Sequence, residues 1–552
     1  MKRFKKSLVI SIVFLLVVLT GCQAIGGLNI NKMMVDRLSV ISSESKQTFS
    51  LELIPSSSAL SAEDKEMIDL LNSFSIRIDH AITQDSTTAS VEGAISLDGK
   101  KVPFHLSVDD KTITIWLEGA KKPLFISLEG LEDEALSELQ LSNDESLSFM
   151  KDVSKFFFNN APNPANISLT PVSEKVNGEE VSLQKLHLDI QGDELVGLVK
   201  SFLTSVSKDK EGVKELIGTM YDVYYPIIEA LIPVDKDYND EDYDDEEYNE
   251  EEYNEDYDGS DFDGYYNEIK ESATFGTLES IIEDKEATVI YLINQLQKSL
   301  NELLVDYDKD VEEMFTETPE LNEILGKDTV LSVDVMVDSQ LHIRKQNMDL
   351  TVQMPDIEDM PLKQLKIHST SEIWNVNKPV TVNKVDTSHG VMDLDLNNMI
   401  DLTPGEFLRN FDQQSDSYHI LQDNMNISEK SFTLNTIKYE DEEDYYTPYP
   451  IPFSKNNTMM VPLRYVAEQL DAQLEWDGVS KTTTITEDLT GSTIVLKHNS
   501  KQATVNGEAV TLVQPVTVVK GEAFVPMRFI TEALGATYKW NAEDQYLLIE
   551  RQ

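Results

Sequence analysis

What the chain lacks narrows its function before any motif is considered. One cysteine in 552 residues excludes a disulfide scaffold and any cysteine-rich zinc or iron–sulfur site. Lysine and arginine number 46 against 99 acidic residues, and no basic cluster follows the first six positions, so we predict no binding to nucleic acid. A nucleophile elbow, a paired-histidine metal motif and a glycine-rich phosphate loop are all missing. We therefore expect no metal, no cofactor and no enzymatic activity, although the many carboxylates leave a catalytic acid pair open.

The remaining composition is that of a folded protein. Apolar residues make up 40 % of the chain, which is enough for hydrophobic cores, and the length suits two to four domains. Segments with period-two alternation and segments with helical periodicity follow one another along the chain. We predict the α+β class, with a large curved antiparallel sheet and packed helices, followed by a smaller C-terminal α+β domain.

The first 22 residues have the pattern of an export signal. Four cations precede an apolar run over residues 8–19, which is about half of the roughly 20 residues that a spanning helix needs. The run ends in Leu19, Thr20, Gly21 and Cys22, a sequence that resembles the lipobox of bacterial lipoproteins. The resemblance implies that residues 1–21 are cleaved and that a diacylglyceryl group is attached to the sulfur of Cys22. The alternative is a buried cysteine behind an ordinary signal peptide.

An acyl anchor would fix the location of everything that follows it. Each buried methylene contributes about 0.8 kcal/mol, so two or three acyl chains hold a protein on a bilayer more firmly than one myristoyl chain. No second apolar segment approaches spanning length. We expect residues 22–45 to form a tether and the mature chain to lie on the outer face of the cytoplasmic membrane.

Residues 46–415 have the patterns of a sheet and of helices. Apolar residues alternate at positions 74, 76 and 78, at 102, 104, 106 and 108, and at 331, 333, 335 and 337, with a turn at Asp98-Gly99. A sheet over helices behind a lipobox resembles, in pattern only, the half-barrel of LolA-like envelope lipoproteins. The resemblance implies an apolar groove able to take an acyl chain; the alternative is a packed apolar layer without a cavity.

The clearest helical pattern covers about residues 278–304. Its apolar residues recur in steps of four and three: Val289, Ile293, Leu296, Leu300 and Leu303. Fewer than three heptads are sustained, so we favour a helix lying on the sheet over a coiled-coil partner helix.

An acidic, tyrosine-rich tract interrupts this region at about residues 234–268. Tyrosines recur every five positions at 238, 243, 248 and 253, a spacing that fits neither a strand face nor a helix stripe. Dense like charge opposes compaction, so we predict a disordered insert. A solvated spacer is the favoured role, weak binding of divalent cations such as calcium is the second, and a specific partner is the third.

The C-terminal region contains an internal repeat with an offset of 64 residues. The segment VPLRYVAEQL at 461–470 recurs as VPMRFITEAL at 525–534. In each copy a strand leads into a proline at the first helical position, a short helix follows, and a hairpin closes the unit. The matching positions, which we predict to be structural or interacting, are Pro462, Arg464, Glu468 and Trp476 in copy one and Pro526, Arg528, Glu532 and Trp540 in copy two.

This repeat resembles the copper amine oxidase N-terminal-like domain, also called the stalk domain, of secreted proteins of Gram-positive bacteria. The family marks are VPLR and an acidic helix that ends in Leu-Gly-Ala; copy two keeps Gly535 there, whereas copy one has Asp471. The resemblance implies that residues 425–552 form this domain and that the source is a Gram-positive bacterium. It implies no oxidase activity, because the chain has no Asn-Tyr-Asp or Asn-Tyr-Glu cofactor site and no His-x-His copper ligands.

Arg464 and Arg528 lie in the first turn of their helices, where the helix dipole disfavours a cation. A disfavoured position that occurs in both copies indicates a fixed partner. We expect a carboxylate one turn further on, Glu468 or Glu532, or a backbone carbonyl. The alternative is a carboxylate of a ligand or of a wall polymer.

These expectations describe a non-enzymatic lipoprotein, anchored in membrane lipid, that acts as a scaffold or interaction protein toward an envelope protein or a wall polymer. The alternative is a carrier or sensor that binds a lipid or another apolar ligand within residues 46–415. A calcium-responsive adhesin is a third class, which depends on the acidic tract alone.

Overall fold

The computed structural model describes residues 28–56, 60–128, 143–231, 284–355, 362–394, 403–436, 449–542 and 545–551. The signal segment, the lipobox with Cys22 and the acidic tyrosine tract lie outside the described residues. The predicted α+β class is confirmed. No helix in these ranges is both long enough and apolar enough to cross a bilayer.

The elements up to residue 394 are mostly long strands and helices. The strands are Ser43–Pro55 (β1), Ser75–Thr83 (β2), Ala89–Leu97 (β3), Lys100–Val108 (β4), Thr112–Leu117 (β5), Leu124–Ser127 (β6), Asn166–Val176 (β7), Glu179–Gln191 (β8), Val330–Val337 (β9), Ile343–Gln353 (β10), Leu362–Trp374 (β11) and Met392–Asp393 (β12). The helices are Ile30–Arg37 (α1), Ala62–Asn72 (α2), Asn143–Asn160 (α3), Leu195–Lys208 (α4), Lys210–Leu231 (α5), Lys285–Glu317 (α6) and Leu321–Ile324 (α7).

The elements from residue 403 onward are shorter. They begin with Pro404–Arg409 (α8), Asp416–His419 (α9) and Lys430–Asn435 (β13). Copy one contains Phe453–Lys455 (β14), Thr458–Pro462 (β15), Leu463–Gln469 (α10), Ala472–Asp477 (β16) and Thr482–Glu487 (β17). Thr493–Lys497 (β18), Gln502–Val505 (β19) and Glu508–Thr511 (β20) follow. Copy two contains Thr517–Val519 (β21), Glu522–Pro526 (β22), Met527–Ala533 (α11), Thr537–Asn541 (β23) and Tyr546–Arg551 (β24).

The chain divides into two compact units, of which unit 1 comprises Met1–Asn72 and Gly130–Val380. Its strands pair in the order β1-β11-β10-β9-β8-β7, and each neighbouring pair is antiparallel. Alternate residues of the central strands form one buried face, as the period-two pattern predicts. The face includes Leu186, Leu188, Ile190, Leu331, Val333, Val335 and Val337.

Helix α1 belongs to the core of unit 1. Ile30 and Met33 are buried in the same cluster as the sheet face, and Asn29 caps the helix by accepting a hydrogen bond from the N–H of Lys32. The expectation of a free tether over residues 22–45 therefore needs correction from Leu28 onward. Burial of large apolar side chains is the physical reason, because it favours order over an extended tether.

The longest helix, α6, packs mainly on other helices. Its N-terminus is capped by Asp284, and it extends to Glu317 rather than ending near residue 304. Leu300 is buried with side chains of α4 and α5, and Ile293 packs there, whereas Leu296 and Leu303 are exposed. The prediction that the apolar stripe of α6 lies on the sheet is wrong, because the stripe packs on apolar side chains of α4 and α5 instead. Only the last turns of α6, with Met314 and Phe315, reach the core beneath the sheet.

Unit 2 comprises Ser73–Glu129 and Thr381–Gln552. Its strands up to residue 394 pair in the order β12-β6-β5-β4-β3-β2, and all pairs are antiparallel except β12 with β6. Asp98 and Gly99 form the predicted turn, with φ of 52° and 71°. The compact units do not follow the boundary predicted between residues 415 and 425, because period-two patterns identify strands without identifying which strands share a unit.

The two copies of the repeat have the same elements at the same offset. β14, β15, α10 and β17 coincide with β21, β22, α11 and β24 when 64 is added to each residue number. Strands β15 and β22 are antiparallel, and Val461 lies opposite Val525. These two valines are equivalent at the offset of 64, so the pairing places a local two-fold axis between the copies.

An outer strand completes the sheet of each copy. β18 pairs with β17 in copy one, and β13 pairs with β24 in copy two. Copy one has a further hairpin of β19 and β20, whose turn is formed by Asn506 and Gly507 with φ of 52° and 84°. Both copies contribute to one core, in which Val466, Ile485, Ile530 and Ile549 are fully buried.

Candidate functional site

The repeat prolines lie one position earlier than predicted. Pro462 and Pro526 end their strands and act as the N-cap residues, with φ of −65° and −57°, so α10 and α11 begin at the following residue. An extended ψ near 120° at each proline explains the shift, because it belongs to the strand and not to the helix. Each proline thus fixes the direction of the chain where a strand turns into a helix.

Both repeat arginines contact the carboxylate one turn further on. Arg464 Nη1 lies 3.1 Å from Glu468 Oε1, and Arg528 Nε lies 3.9 Å from Glu532 Oε1. Arg528 Nε also donates a hydrogen bond of 3.1 Å to the hydroxyl of Tyr538, which raises the pKa of Arg528. These four charged side chains are more than half exposed, so solvent screens both pairs and each contributes little to stability.

The repeat tryptophans are exposed in both copies. Trp476 on β16 is 52 % exposed and lies opposite Thr483, whereas Trp540 on β23 is 46 % exposed and lies opposite Leu547. Burying such a side chain yields a large hydrophobic gain, so two exposed tryptophans at equivalent positions indicate a contact surface.

A cleft of about 470 Å³ opens beside Trp476. Copy one supplies one wall and the β21–β22 hairpin of copy two supplies the other. The side chains that line it include Arg464, Trp476, Thr483, His498 and Glu522. The volume lies within the range of small-molecule sites, about 300–1,000 Å³.

His498 holds the aromatic wall of this cleft in place. Its ring centroid lies 4.2 Å from that of Trp476 at an angle of 41°, and its Nε2 makes a 2.8 Å hydrogen bond with Thr483 Oγ1. Burial lowers the pKa of His498, so the imidazole is neutral at pH 7. The cleft therefore combines a fixed aromatic face with one cation and one anion, Arg464 and Glu522.

A buried network of charges lies at the contact between the copies. Arg551 Nη2 lies 3.0 Å from Asp471 Oδ2, and Arg551 Nη1 lies 3.1 Å from Glu487 Oε1. Arg551 Nη1 also donates to the carbonyl oxygen of Leu470 at 2.8 Å, and Lys430 Nζ lies 2.9 Å from Asp471 Oδ1. The three residues Arg551, Asp471 and Glu487 are each less than 10 % exposed.

Sequence reasoning missed this network, although two signals pointed to it. Asp471 stands where copy two has Gly535, and it adopts φ of 52°, close to the 70° of that glycine. Glu487 and Arg551 are equivalent at the offset of 64 and carry opposite charges. A charged residue in a glycine position together with a charge reversal between copies would have indicated an ion pair.

Asp488 extends the network toward α8. Its Oδ2 accepts a 2.9 Å hydrogen bond from Thr403 Oγ1, while Arg409 Nη1 lies 3.7 Å from its Oδ1. Burial raises the pKa of Asp488 above its usual range. Within the ranges that the structure describes, no group of three histidine, cysteine or acidic residues is arranged to hold a metal ion.

Among the described residues, the apolar cavity at the core of unit 1 is smaller than the groove that the LolA-like resemblance implies. The cavity there, lined by side chains such as Met34, Leu188 and Met348, has a volume of about 80 Å³. Small-molecule sites are several times larger. The apolar groove and its alternative, a packed apolar layer, both stay predictions.

Comparison with known families matches residues 441–549 to the copper amine oxidase N-terminal domain. The match supports the predicted stalk-like domain, and that domain is non-catalytic. Searches of curated proteins and of solved structures give no match.

Proposed function

We propose that this protein is a non-enzymatic lipoprotein, anchored through Cys22 to the outer face of the cytoplasmic membrane, that uses its repeat domain to contact another component of the cell envelope. The observation that carries the contact role is the pair of exposed tryptophans at equivalent positions of a non-catalytic domain. The lipobox-like ending at the only cysteine supports the anchor.

Metabolic labelling tests the anchor. Cells that express the full chain are grown with radiolabelled palmitate, and the label is expected in the wild-type protein but not in Cys22→Ala. Ser11→Ala changes the apolar run and leaves the lipobox intact, so it serves as the matched control and should retain the label. Absence of label from the wild-type protein would overturn the anchor.

Site-specific photo-crosslinking tests the contact role. A photoreactive phenylalanine analogue replaces Trp540 in the full chain, and the same analogue replaces Val305, which is 81 % exposed on α6, as the control. We expect a discrete adduct of higher mass at position 540 that is missing at position 305. Equal crosslinking at both positions would indicate random collisions and would contradict the proposal.

The carrier alternative receives no support from the described residues. The apolar cavity among the described core residues of unit 1 has a volume of about 80 Å³, several times less than a small-molecule site. We therefore advance the scaffold role alone.

A further inference from the structure

The cleft beside Trp476 differs from the equivalent position of copy two. In copy one, Leu474 stands where copy two has Tyr538, so Arg464 has no counterpart of the hydrogen bond that Tyr538 forms with Arg528. Thr483, which positions His498, is replaced by Leu547 in copy two. The repeat thus keeps an exposed tryptophan in both copies, but only copy one surrounds it with the polar groups of a binding site.

The lining of the cleft selects a class of ligand. A pyranose ring has a flat face of C–H groups and a rim of hydroxyl groups, so it requires an aromatic platform with hydrogen-bonding groups at the edge. Trp476 is such a platform, and its position is fixed by His498. Arg464 supplies donors and Glu522 supplies acceptors from opposite walls.

The net charge of the chain disfavours a second class of wall polymer, the polyanions. A formal net charge of −53 repels polyanions that carry a phosphate on each repeat unit. A neutral glycan is free of this repulsion. An N-acetyl group matches the two ionic side chains as well, because its C=O accepts from Arg464 and its N–H donates to Glu522.

We infer that the cleft lined by Trp476, His498, Arg464 and Glu522 binds a sugar ring of a neutral, N-acetylated glycan of the cell wall. The inference rests on the proposed function, since it names the envelope component that the repeat domain meets. It assigns the glycan to copy one, and it leaves the exposed Trp540 of copy two to a protein partner.

Calorimetric titration tests the inference. The full chain is extracted in a polyoxyethylene detergent, because a detergent with a sugar headgroup would compete, and it is titrated with chitohexaose. We expect saturable binding, and we expect Trp476→Ala to weaken it by about tenfold or more, which corresponds to the loss of one aromatic stack. Trp476→Tyr keeps an aromatic platform and should recover most of the affinity.

Copy two provides the matched control. Trp540→Ala removes an equally exposed tryptophan and should leave the affinity within about twofold of wild type. Absence of binding by the wild-type chain, an equal loss in Trp540→Ala, or equally tight binding of cellohexaose, which lacks the amide, would each overturn the inference. Far-ultraviolet circular dichroism confirms that every variant is folded.

The titration and the palmitate experiment test separate claims, so either can give a negative result without the other. Binding is measured on purified protein, so it does not depend on the acyl anchor. Label without glycan binding would leave the anchored scaffold and remove its glycan ligand, whereas glycan binding without label would remove the anchor and leave the cleft.

Discussion

The two copies of the 64-residue repeat share a backbone but bury different charges. Their helices coincide at the offset, and Val461 and Val525 meet at the local two-fold axis. At two equivalent positions near the contact between the copies, the residues differ. Asp471 corresponds to Gly535, and Glu487 corresponds to Arg551. The comparison shows that a symmetric arrangement of elements can hold an asymmetric set of side chains.

The asymmetry has a physical reason. Equivalent residues that lie at a two-fold axis contact one another, and identical charges at such positions would repel. Glu487 and Arg551 are equivalent, they meet at 3.1 Å, and their charges are opposite. Asp471 adds a second carboxylate on the copy-one side. We infer that these differences between the copies favour the pairing of copy one with copy two over the pairing of two identical copies.

The largest effect is expected for Arg551→Ala. It leaves Asp471 and Glu487 buried with Lys430 as the remaining cation, and breaking a buried pair costs about 3–5 kcal/mol. Hydrogen-exchange mass spectrometry of peptides from β17 and β24 measures the free energy of local opening, which should fall by that amount. Arg528→Ala, which removes an exposed arginine of the same copy, is the control and should leave this free energy nearly unchanged. A loss below about 1 kcal/mol in Arg551→Ala would contradict the role of the network.

The symmetric pair at the axis should behave symmetrically. Val461 and Val525 are both fully buried, so Val461→Ala and Val525→Ala each remove two methyl groups from the core and should cost about 2 kcal/mol. Hydrogen exchange of β15 and β22 should give two losses that agree within about 0.5 kcal/mol. Losses that differ by more than about 1 kcal/mol would show that the core is as asymmetric as the charges.

Local features of the repeat could be predicted from the sequence. The helices of both copies, the hairpin at Asn506-Gly507 and the contacts of Arg464 with Glu468 depend on residues within one or two turns of each other. Such contacts follow from helical spacing and turn chemistry. The family match over residues 441–549 agrees with the repeat that these motifs defined.

Contacts between distant segments could not be predicted. Arg551 meets Asp471 and Glu487 across 80 and 64 residues, and no local period connects them. The same holds for the cleft, whose Glu522 comes from the other copy. Helix α1 was missed because its eight residues give only about two turns of a periodic pattern, and only the tertiary core shows why Ile30 and Met33 are ordered.

A smaller loss of stability is expected at the left-handed residue that follows the C-cap of each repeat helix, Asp471 in copy one and Gly535 in copy two. Asp471→Asn retains a residue that tolerates a left-handed backbone but removes the charge that pairs with Arg551, so we expect a loss of about 1–3 kcal/mol. Gly535→Asn tests the backbone alone, because a Cβ there meets no atom within 4 Å, and it should cost less than about 1 kcal/mol. Hydrogen exchange of β16 and β23 measures both losses. Equal losses would show that backbone strain, and not the ion pair, separates the copies.

The smallest effect concerns Asp488, the buried carboxylate that follows copy one. Its folded-state pKa is raised above the ordinary value of 3.8, so the ionised form disfavours the folded state. This destabilisation is absent below pH 3.8, where the group is protonated in both states; it grows as the pH rises from 3.8 to the folded-state pKa and is constant above it. Asp488→Asn removes the charge, and its amide oxygen can still accept the hydrogen bond from Thr403.

The thermal midpoint of Asp488→Asn should therefore exceed that of the wild-type chain by one or two degrees at pH 7, and the difference should shrink toward zero at pH 3.5. Circular dichroism melts at pH 7, 5 and 3.5 measure it. Arg409, 3.7 Å from Oδ1, acts in the opposite direction, because it stabilises the ionised carboxylate. A lower midpoint for the variant at pH 7 would mean that this attraction exceeds the cost of burial, and Asp488 would then join Asp471 and Glu487 as a stabilising charge of copy one.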